Sequence, residues 1–406
     1  MQRTEQSELP AFEKAAQCWL DDHAERRAPA GGVVWGEGSD NVALFKNLTF
    51  DEEKAHIDAL RDWHRMKSDA DYGSIDWPVE YGGAGLPRTF AQAFSRLESK
   101  YETPAGHEAV SITMELVAPT IRTVGSDELK DRYLRPMRRG DEMWCQLFSE
   151  PGAGSDLAGV SSRAVREGDA WVLNGQKVWT SGAQYADFGY ILCRTDPTVA
   201  KHQGLTTFLL PMDASGVEVR PLRQMSGGTC FNEVFLTDVV VPDSHRLGDV
   251  GAGWSVATTT LGFERAAATK GGTSGGDIFE RLVMLARHVG LADDPLIRQR
   301  LAGLYTDGRV RALTRRRVAD AVKSGSTPGP EGSIGKLAWT EGLRTMADLA
   351  GDLLGARLTA DTGAWGTFAW GEFVNGVPGY RVAGGSDEIQ RNIIAERVLG
   401  LPREPR

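Results

Sequence analysis

The residues whose types and spacing could support chemistry are concentrated in four short segments. In the first, Gln146-Leu-Phe-Ser-Glu-Pro-Gly-Ala-Gly-Ser-Asp156, a predicted strand ends in a Gly-rich turn that carries small hydroxyl side chains. Such a turn exposes backbone N–H groups and lets a planar or anionic ligand come close. An ordinary β-turn would explain the same composition.

The second segment is Asn174-Gly-Gln-Lys-Val-Trp-Thr-Ser-Gly182. Asn-Gly is typical of a hairpin turn. If a strand follows it, Lys177, Trp179 and Ser181 stand at alternate positions and share one face. An indole beside a hydroxyl suits a flat aromatic ligand, because the ring packs on it and the hydroxyl donates a hydrogen bond. The alternative is a half-buried tryptophan in a β core.

The third segment, Ala383-Gly-Gly-Ser-Asp-Glu-Ile-Gln-Arg-Asn-Ile-Ile-Ala-Glu-Arg397, leads from a Gly pair into a predicted helix. Ser386 stands near the start of that helix, and a helix N-terminus favours a phosphate or another anion. An ordinary capped helix has the same pattern.

The fourth segment is Leu261-Gly-Phe-Glu-Arg-Ala-Ala-Ala268, where Glu264 lies among apolar residues. A buried carboxylate there could accept a proton. The alternative is a surface glutamate on a helix, with Arg265 either solvated or in contact with an anionic substrate.

Composition limits the partners. With 46 Lys and Arg against 55 Asp and Glu, the formal net charge is −9, which disfavours general binding to nucleic acid or anionic membranes. The 4 cysteines show no CxxC spacing and the 7 histidines no HExxH spacing, so we predict no metal. No apolar run approaches the length of a membrane span and the first residues lack a signal-peptide layout, so we expect a cytoplasmic protein.

The elements that must position these segments follow a helical, β, helical order. Apolar residues at three- and four-residue spacing predict helices over 11–24, 90–102 and 111–125, and later over 252–270, 275–288, 295–323, 332–355 and 386–398. Between them lie short runs rich in β-branched and aromatic residues. We predict an α+β chain with an N-terminal helical domain (1–141), a middle antiparallel β domain (142–248) and a C-terminal helical bundle (249–406).

Taken in order, these segments resemble the acyl-CoA dehydrogenase family. The resemblance runs from Trp77-Pro-Val-Glu-Tyr-Gly-Gly83 to Gly400-Leu-Pro402 and rests on the SEPGAGSD, NGQKVWTSGA and GGSDEIQRNIIAER segments jointly. It implies the three-domain fold predicted above. It also implies an FAD cofactor held partly between subunits, and an oligomer that is a dimer or a tetramer.

The resemblance assigns roles by position. It places flavin contacts at Leu147, Phe148, Ser149, Trp179 and Ser181, contacts of FAD near the last helix at Ser386 and Glu388, a glycine that meets a neighbouring subunit's FAD at Gly355, and a substrate contact at Ser155. Arg265 is a second candidate for substrate binding, because its charge suits an anionic substrate.

The implied reaction is the α,β-desaturation of an acyl-CoA thioester to a trans-2-enoyl-CoA. A carboxylate takes the α-proton, flavin N5 takes the β-hydride, and the electrons pass to an electron-transfer flavoprotein. Fatty acid β-oxidation and lipid metabolism are the expected setting. Hydrogen-bond donors on the thioester carbonyl can each be worth about 3–4 kcal/mol in such a site.

Two departures from the family pattern bear on mechanism and assembly. Many members carry the base where this chain has Gly384, whereas a second branch carries it on the helix after the β domain, at the position of Glu264. We therefore predict Glu264 as the base. The Arg-x-x-Phe-Gly segment that reaches another subunit's cofactor is absent from 287–295.

Two other functions stay open. The chain could be a low-activity partner subunit of a heteromeric acyl-CoA dehydrogenase, which would form a heterotetramer. It could also be a flavin oxidase or monooxygenase on the same scaffold. Linear, branched, aromatic and steroid thioesters, on CoA or on a carrier protein, all remain candidate substrates.

Overall fold

The computed structural model describes residues 2–28, 34–270, 275–323 and 329–403, and within these ranges it leaves out the side chains of 2–7, 265–270, 275–277 and 322–323. The chain forms two compact units. Unit 1 comprises residues 1–31, 48–222 and 231–260, and unit 2 comprises residues 32–47, 223–230 and 261–406.

Helices make up the first part of unit 1. They are α1 (Gln2–His23), α2 (Phe50–Asp69), α3 (Arg88–Glu98), α4 (Glu108–Ser111), α5 (Ala118–Val124) and α6 (Asp127–Arg139). The π-helical turn Ile112–Val117 joins α4 to α5. The start of α2 shows how the local sequence fixes such an element: Thr49 and Glu52 form a capping box that satisfies two N–H groups of the first turn. The helices predicted over 11–24, 90–102 and 111–125 are confirmed.

A sheet of eight strands completes unit 1. The strands are β1 (Trp144–Leu147), β2 (Arg163–Glu167), β3 (Ala170–Ser181), β4 (Phe188–Arg194), β5 (Leu205–Pro211), β6 (Val217–Leu222), β7 (Phe231–Pro242) and β8 (Arg246–Leu247). Their order is β6-β7-β3-β2-β4-β5-β8, and β1 pairs with β4. Most ladders are antiparallel; β1 runs parallel to β4, and β2 meets β4 through one parallel pair.

The predicted Asn-Gly hairpin is wrong, because Asn174 and Gly175 lie inside β3. The extra residue is on the opposite strand: the register moves from Leu173↔Val239 to Gly175↔Leu236, and Asp238 adopts φ +51° in the bulge. Asn174 supports this bulge, since its side chain donates to Asp238 Oδ1 and accepts from the Asp238 N–H, both at 3.0 Å. The dipeptide therefore braces a bulge instead of reversing the chain.

The prediction that Lys177, Trp179 and Ser181 share one face is also wrong. Lys177 is fully buried, whereas Trp179 exposes 61% of its surface. A second bulge explains the difference: the register passes from Lys177↔Val234 to Thr180↔Asn232, and the inserted residue, Trp179, has φ +61°. An extra residue in one strand interrupts the two-residue alternation of side chains.

Helices form most of unit 2. The helices after the sheet are α7 (Gly253–Lys270), α8 (Gly275–His288), α9 (Pro295–Lys323), α10 (Gly332–Leu354), α11 (Ala369–Val382) and α12 (Asp387–Ile393); α7 passes from unit 1 to unit 2 after residue 260. The five helices predicted in this part are confirmed, with a π-helical turn over Ile394–Val398. The sequence did not predict α11, since Gly371, Gly376, Pro378 and Gly379 lower its helix propensity. Burial of Trp370 and Phe373 in the core stabilises it.

Each unit has its own core. In unit 2, leucines and Met346 of α10 pack with Trp370 and Phe373 of α11 and with Val42. In unit 1, one cluster fills the inner face of the sheet around Leu173, Phe208 and Val239. The α+β fold class, with N-terminal helices, a mostly antiparallel middle sheet and C-terminal helices, is confirmed. The domain boundaries at 141 and 248 stay predictions.

Candidate active site

The first predicted segment forms the turn expected of it. Glu150 and Ala153 exchange backbone N–H···O hydrogen bonds of 3.0 Å, with Pro151 and Gly152 between them. Ahead of the turn, Leu147 and Phe148 are buried and Ser149 is half-buried. The Ser149 carbonyl accepts from the Val178 N–H at 2.9 Å. The end of β1 is therefore fixed beside β3, next to Trp179.

A buried ion pair joins the first two segments. Lys177 is fully buried and its Nζ donates to Glu150 Oε1 at 2.8 Å, to the Leu192 carbonyl at 2.7 Å and to the Phe148 carbonyl at 3.2 Å. All three ammonium hydrogens thus have acceptors, which a buried lysine needs. The pair holds the backbone at Phe148, one of the three residues (147–149) where the resemblance expects flavin contacts.

The Glu150 carboxylate is ionised inside the protein. Burial alone would raise its pKa, but the charge and hydrogen bond of Lys177 and the hydrogen bonds from Ser161 and Ser162 lower it to about 2. Glu150 Oε2 accepts from the Ser161 N–H at 2.7 Å, and Oε1 accepts from the Ser162 N–H at 2.9 Å. Sequence reasoning missed this pair, because nothing in either segment alone indicated that the two side chains meet.

Trp179 presents an aromatic surface to its surroundings. Its φ of +61° lies in the left-handed region, which bulky residues rarely adopt. Phe231 supports it edge-on, with the ring centroids 6.0 Å apart. A large exposed ring held in a costly backbone conformation is characteristic of ligand sites.

The other predicted residues of unit 1 lie near the ends of these elements. Ser181 is half-buried at the end of β3, where it pairs with Phe231 of β7. Ser155 is exposed in the loop after the Glu150–Ala153 turn. The next residue, Asp156, forms an exposed ion pair with Lys201 at 2.7 Å.

In unit 2, the two positions that the resemblance offers for the base, 264 and 384, lie close together. Glu264 is half-buried on α7, and its Oε1 lies 3.3 Å from where a Cβ on Gly384 would be. Gly384 has φ +64° and Gly385 has φ +84°, so both residues of the pair use the freedom of glycine. The side chain of Arg265, the predicted substrate contact next to Glu264, lies outside the described residues.

The Gly384–Gly385 turn leads directly into α12. Ser386 caps this helix, and its Oγ accepts from the Ile389 N–H at 3.4 Å. Gln390 folds back on the turn, where its Nε2 donates to the carbonyls of Gly384 at 2.9 Å and of Gly385 at 3.1 Å. Gln390 is only 2% exposed, and its Oε1 is buried with no hydrogen-bond partner among the described atoms. Nothing in the sequence alone indicated this role of Gln390.

The remaining predicted cofactor positions flank α10 and α12. Gly355 ends α10 with φ +51°, and a Cβ there would meet no described atom within 4 Å. Glu388 is exposed in the first turn of α12, and hydrogen bonds from its own N–H and from Ser386 lower the pKa of its carboxyl. A pocket of about 370 Å³ opens beside it in unit 2, with Val377 and Arg381 in its walls.

Two further properties concern only the described part of the chain. There, no helix combines the length and apolar character needed to cross a membrane. Within the same residues, no group of three or more His, Cys, Asp or Glu side chains could hold a metal ion.

Comparison with known proteins identifies the family. The profile of the acyl-CoA dehydrogenase N-terminal domain matches residues 46–141, that of the middle domain matches 145–239 and that of the C-terminal domain matches 251–399. The chain belongs to the acyl-CoA dehydrogenase family. It is an acyl-CoA dehydrogenase, an oxidoreductase that acts on CH–CH bonds.

Curated acyl-CoA dehydrogenases align with nearly the whole chain. It is 37% identical to acyl-CoA dehydrogenase IpdE1 of Mycobacterium tuberculosis over 405 residues, which is 98% of this chain and 99% of the relative. It is also 37% identical to IpdE1 of Mycolicibacterium smegmatis over 409 residues, with the same coverage of both chains.

Solved structures of other proteins share the fold. The steroid ACAD Tcur3481–Tcur3483 superposes with a TM-score of 0.73 at 26% identity and covers 98% of both chains. The ChsE4–ChsE5 complex from Mycobacterium tuberculosis superposes with a TM-score of 0.72 at 27% identity, again over 98% of both chains.

Proposed function

We propose that this acyl-CoA dehydrogenase binds FAD and desaturates an acyl-CoA thioester to a trans-2-enoyl-CoA, with Glu264 as the base. The electrons would pass to an electron-transfer flavoprotein. The family membership supports the reaction class. The assignment of the base is carried by the geometry around Gly384.

The single observation behind the base assignment is the 3.3 Å separation between Glu264 Oε1 and the position of a Cβ on Gly384. The family resemblance names two positions for the base, and these are the two residues that approach each other here. A carboxylate carried on either element would therefore reach the same region of unit 2. Since glycine has no side chain, Glu264 is the residue that can accept the proton.

The residues present fit a flavin cofactor. Trp179 offers an exposed aromatic face of the kind that packs on a planar ring, and its strained backbone is consistent with a ligand site. In unit 2, the buried Gln390 Oε1 beside the Ser386 cap lacks a donor among the described atoms. When bound, FAD supplies the hydride acceptor that no side chain of the protein can provide.

The chain itself would bind, orient and move a proton. Leu147, Phe148 and Ser149, held by the Glu150–Lys177 pair, would line the flavin with Trp179 and Ser181. Ser386, Glu388 and Gly355 would contact the rest of the cofactor, and Ser155 and Arg265 the thioester. Glu264 Oε1 or Oε2 would take the α-proton and hold it until product leaves.

The substrate class we favour is a bulky, polycyclic acyl-CoA. The support is that one similar structure, at 26% identity, is named a steroid ACAD. A linear fatty acyl-CoA of fatty acid β-oxidation is the alternative that the experiment below distinguishes.

The test is anaerobic flavin bleaching. The purified chain, reconstituted with FAD, is mixed with butyryl-, octanoyl-, isovaleryl- and phenylpropionyl-CoA and with a steroid carboxyl thioester of CoA. We expect at least one thioester to bleach the visible flavin absorption, and Glu264→Gln to keep the yellow colour while it abolishes bleaching. Bleaching of the Glu264→Gln variant at the native rate would show that another residue is the base. Peroxide formation in air without an acceptor protein would favour an oxidase.

A second candidate is a partner subunit of a heteromeric dehydrogenase. Residues 287–295 lack the Arg-x-x-Phe-Gly segment, and His288 in this stretch stacks on Trp35 with ring centroids 4.3 Å apart. One structure similar to this chain is a complex of two named proteins, ChsE4 and ChsE5. A colourless chain that becomes yellow only on co-expression with a second family member would favour this function over a homo-oligomer.

A further inference from the structure

The loop that carries Gly384 is closed at its base by an ion pair. Arg381 is the last residue but one of α11 and Asp387 is the first of α12, with the five residues 382–386 between them. Arg381 Nε donates to Asp387 Oδ2 at 2.7 Å. The two charged side chains therefore bridge the chain on either side of the Gly384–Gly385 pair.

Asp387 is the centre of this arrangement. Its side chain is 1% exposed, and Oδ1 accepts from Thr340 Oγ1 at 2.7 Å and from Lys336 Nζ at 3.2 Å. Burial would raise the pKa of Asp387, but these donors and Arg381 lower it below its ordinary value. Burial also lowers the pKa of Lys336, although its hydrogen bond to Asp387 opposes that shift.

Lys336 reaches both ends of the loop from α10. Besides its bond to Asp387, its Nζ donates to the Arg381 carbonyl at 3.3 Å. The loop is thus fixed to α10, and not only closed on itself. Because the Asp387 carboxylate is buried, the loss of any one donor leaves its charge less well compensated and weakens the arrangement.

A glycine pair needs such a restraint. Gly384 and Gly385 both have positive φ, and glycine has more conformational freedom to lose than any other residue. Inside the loop, the hydrogen bonds from Gln390 Nε2 to the two glycine carbonyls depend on where α12 begins. Residue 387 is the first residue of that helix, so its anchoring sets the position of the turn.

We propose that Lys336, Arg381 and Asp387 form a clasp that positions the Gly384–Gly385 turn against Glu264. This inference rests on the proposed function, because it makes the clasp residues positioning residues for that base. None of the three would touch the reacting atoms. Their effect would be to keep Gly384 beside the Glu264 carboxylate, whose Oε1 lies 3.3 Å from where a Cβ on Gly384 would be, and with it the direction in which the carboxylate points.

The first test needs no cofactor or substrate. Hydrogen exchange is followed by mass spectrometry in the full chain, native and Asp387→Asn, with Asp352→Asn as the matched control. Asp352 lies on α10, the helix that carries Lys336, and its exposed side chain forms an ion pair with Arg300 of α9 at 2.6 Å. We expect exchange in peptides covering 382–390 to rise at least tenfold in Asp387→Asn and to stay native in the control. Native exchange in Asp387→Asn would overturn the clasp.

The second test measures the limiting rate of flavin reduction per bound FAD, with the acyl-CoA from the bleaching panel that reacts fastest. We expect Asp387→Asn to lower this rate at least tenfold, with the Kd of the acyl-CoA changed less than threefold, and Asp352→Asn to keep both values. A merely structural role would lower FAD occupancy and thermal stability and leave the rate per bound FAD native, which would overturn the positioning role.

Two milder variants cover the case in which Asp387→Asn does not fold. Thr340→Val removes one donor to Asp387, and Arg381→Lys keeps the charge with a different reach; both should show smaller changes in the same direction. The proposed function fails separately: if Glu264→Gln reduces flavin at the native rate, the base is elsewhere. Exchange over 382–390 then still decides whether the clasp holds the turn.

Discussion

Glu264 and Gly384 form one locus built from two distant parts of the chain. The carboxylate oxygen Oε1 of Glu264 lies 3.3 Å from the point where a Cβ on Gly384 would project. That separation is tighter than most contacts of a Cβ atom, so a side chain at 384 and the glutamate at 264 compete for one space. This space has room for one carboxylate, and in this chain that carboxylate belongs to Glu264 on α7.

The first prediction is that the carboxylate can be moved between these positions. Glu264→Ala should abolish flavin reduction, and adding Gly384→Glu should restore a measurable but lower rate. Recovery will be partial because Gly384 has φ +64°, where a side chain costs roughly 1–2 kcal/mol. Stopped-flow flavin bleaching measures the rate, and Gly384→Ala in the Glu264→Ala background is the matched control. A folded, FAD-bound double variant as inactive as Glu264→Ala would contradict the shared locus.

The second prediction is that Trp179 affects FAD binding and protein stability for two different reasons. Trp179→Ala and Trp179→Gly should both weaken FAD retention, because the exposed indole face is lost. Without FAD, however, Trp179→Gly should be more stable than Trp179→Ala by about 1 kcal/mol, since only glycine adopts φ +61° at no steric cost.

Gel filtration with absorbance ratios measures FAD retention, and urea unfolding of the FAD-free variants measures stability. Val240→Ala is the control, because Val240 is 60% exposed on β7 and has no predicted flavin contact. Equal FAD retention in Trp179→Ala and in the native chain would show that Trp179 does not contribute to flavin binding.

The third prediction concerns the buried Glu150–Lys177 pair. Lys177→Met leaves an ionised carboxylate buried without its partner and should lower the free energy of unfolding of unit 1 by about 3–5 kcal/mol. The double change Glu150→Gln with Lys177→Met removes both charges and should cost less than Lys177→Met alone. Lys201→Met, which breaks an exposed pair with Asp156, should cost at most about 1 kcal/mol. Equal losses for Lys177→Met and Lys201→Met would contradict the importance of the buried pair.

Part of the fold and of the site could be predicted from the sequence, namely the part that is determined by residues close together in the chain. Long amphipathic patterns predicted α8, α9 and α10, because a helix buries one face and its period is visible in the residues themselves. Helix α11 was not predicted, since its three glycines and Pro378 indicate a break in the helix. Their low helix propensity is offset by the burial of Trp370 and Phe373 in the core. Tertiary packing of that kind leaves no local trace.

The errors at the site have the same origin. Asn174-Gly175 predicts a hairpin by propensity, but β7 pairs across it and uses Asn174 to brace the bulge at Asp238. The conformation of Trp179 depends on a one-residue mismatch between two strands, which neither strand shows alone. The contact between Glu264 and the position of a Cβ on Gly384 joins residues 120 positions apart, so it was open to inference only through the family resemblance.

The last prediction is an acid sensitivity that originates at His64 in α2. Burial, and then the positive charges of Lys67 and Arg138, lower the pKa of His64 from 6.5 to about 3, and its buried Nδ1 has no partner among the described atoms. Below pH 6.5 the unfolded chain takes up a proton at this residue and the folded chain does not. The free energy of unfolding should therefore fall by about 1.4 kcal/mol for each pH unit from 6.5 down to about 3.

His64→Gln should remove this sensitivity, because glutamine does not titrate. Between pH 7 and pH 4.5, the native chain should lose roughly 3 kcal/mol more stability than the variant, measured by urea unfolding at each pH. His202→Gln, at an exposed histidine of unit 1, should keep the native pH dependence. If His64→Gln and the native chain lose the same stability over this range, the folded protein protonates His64 as readily as the unfolded chain does, and its burial carries no electrostatic cost.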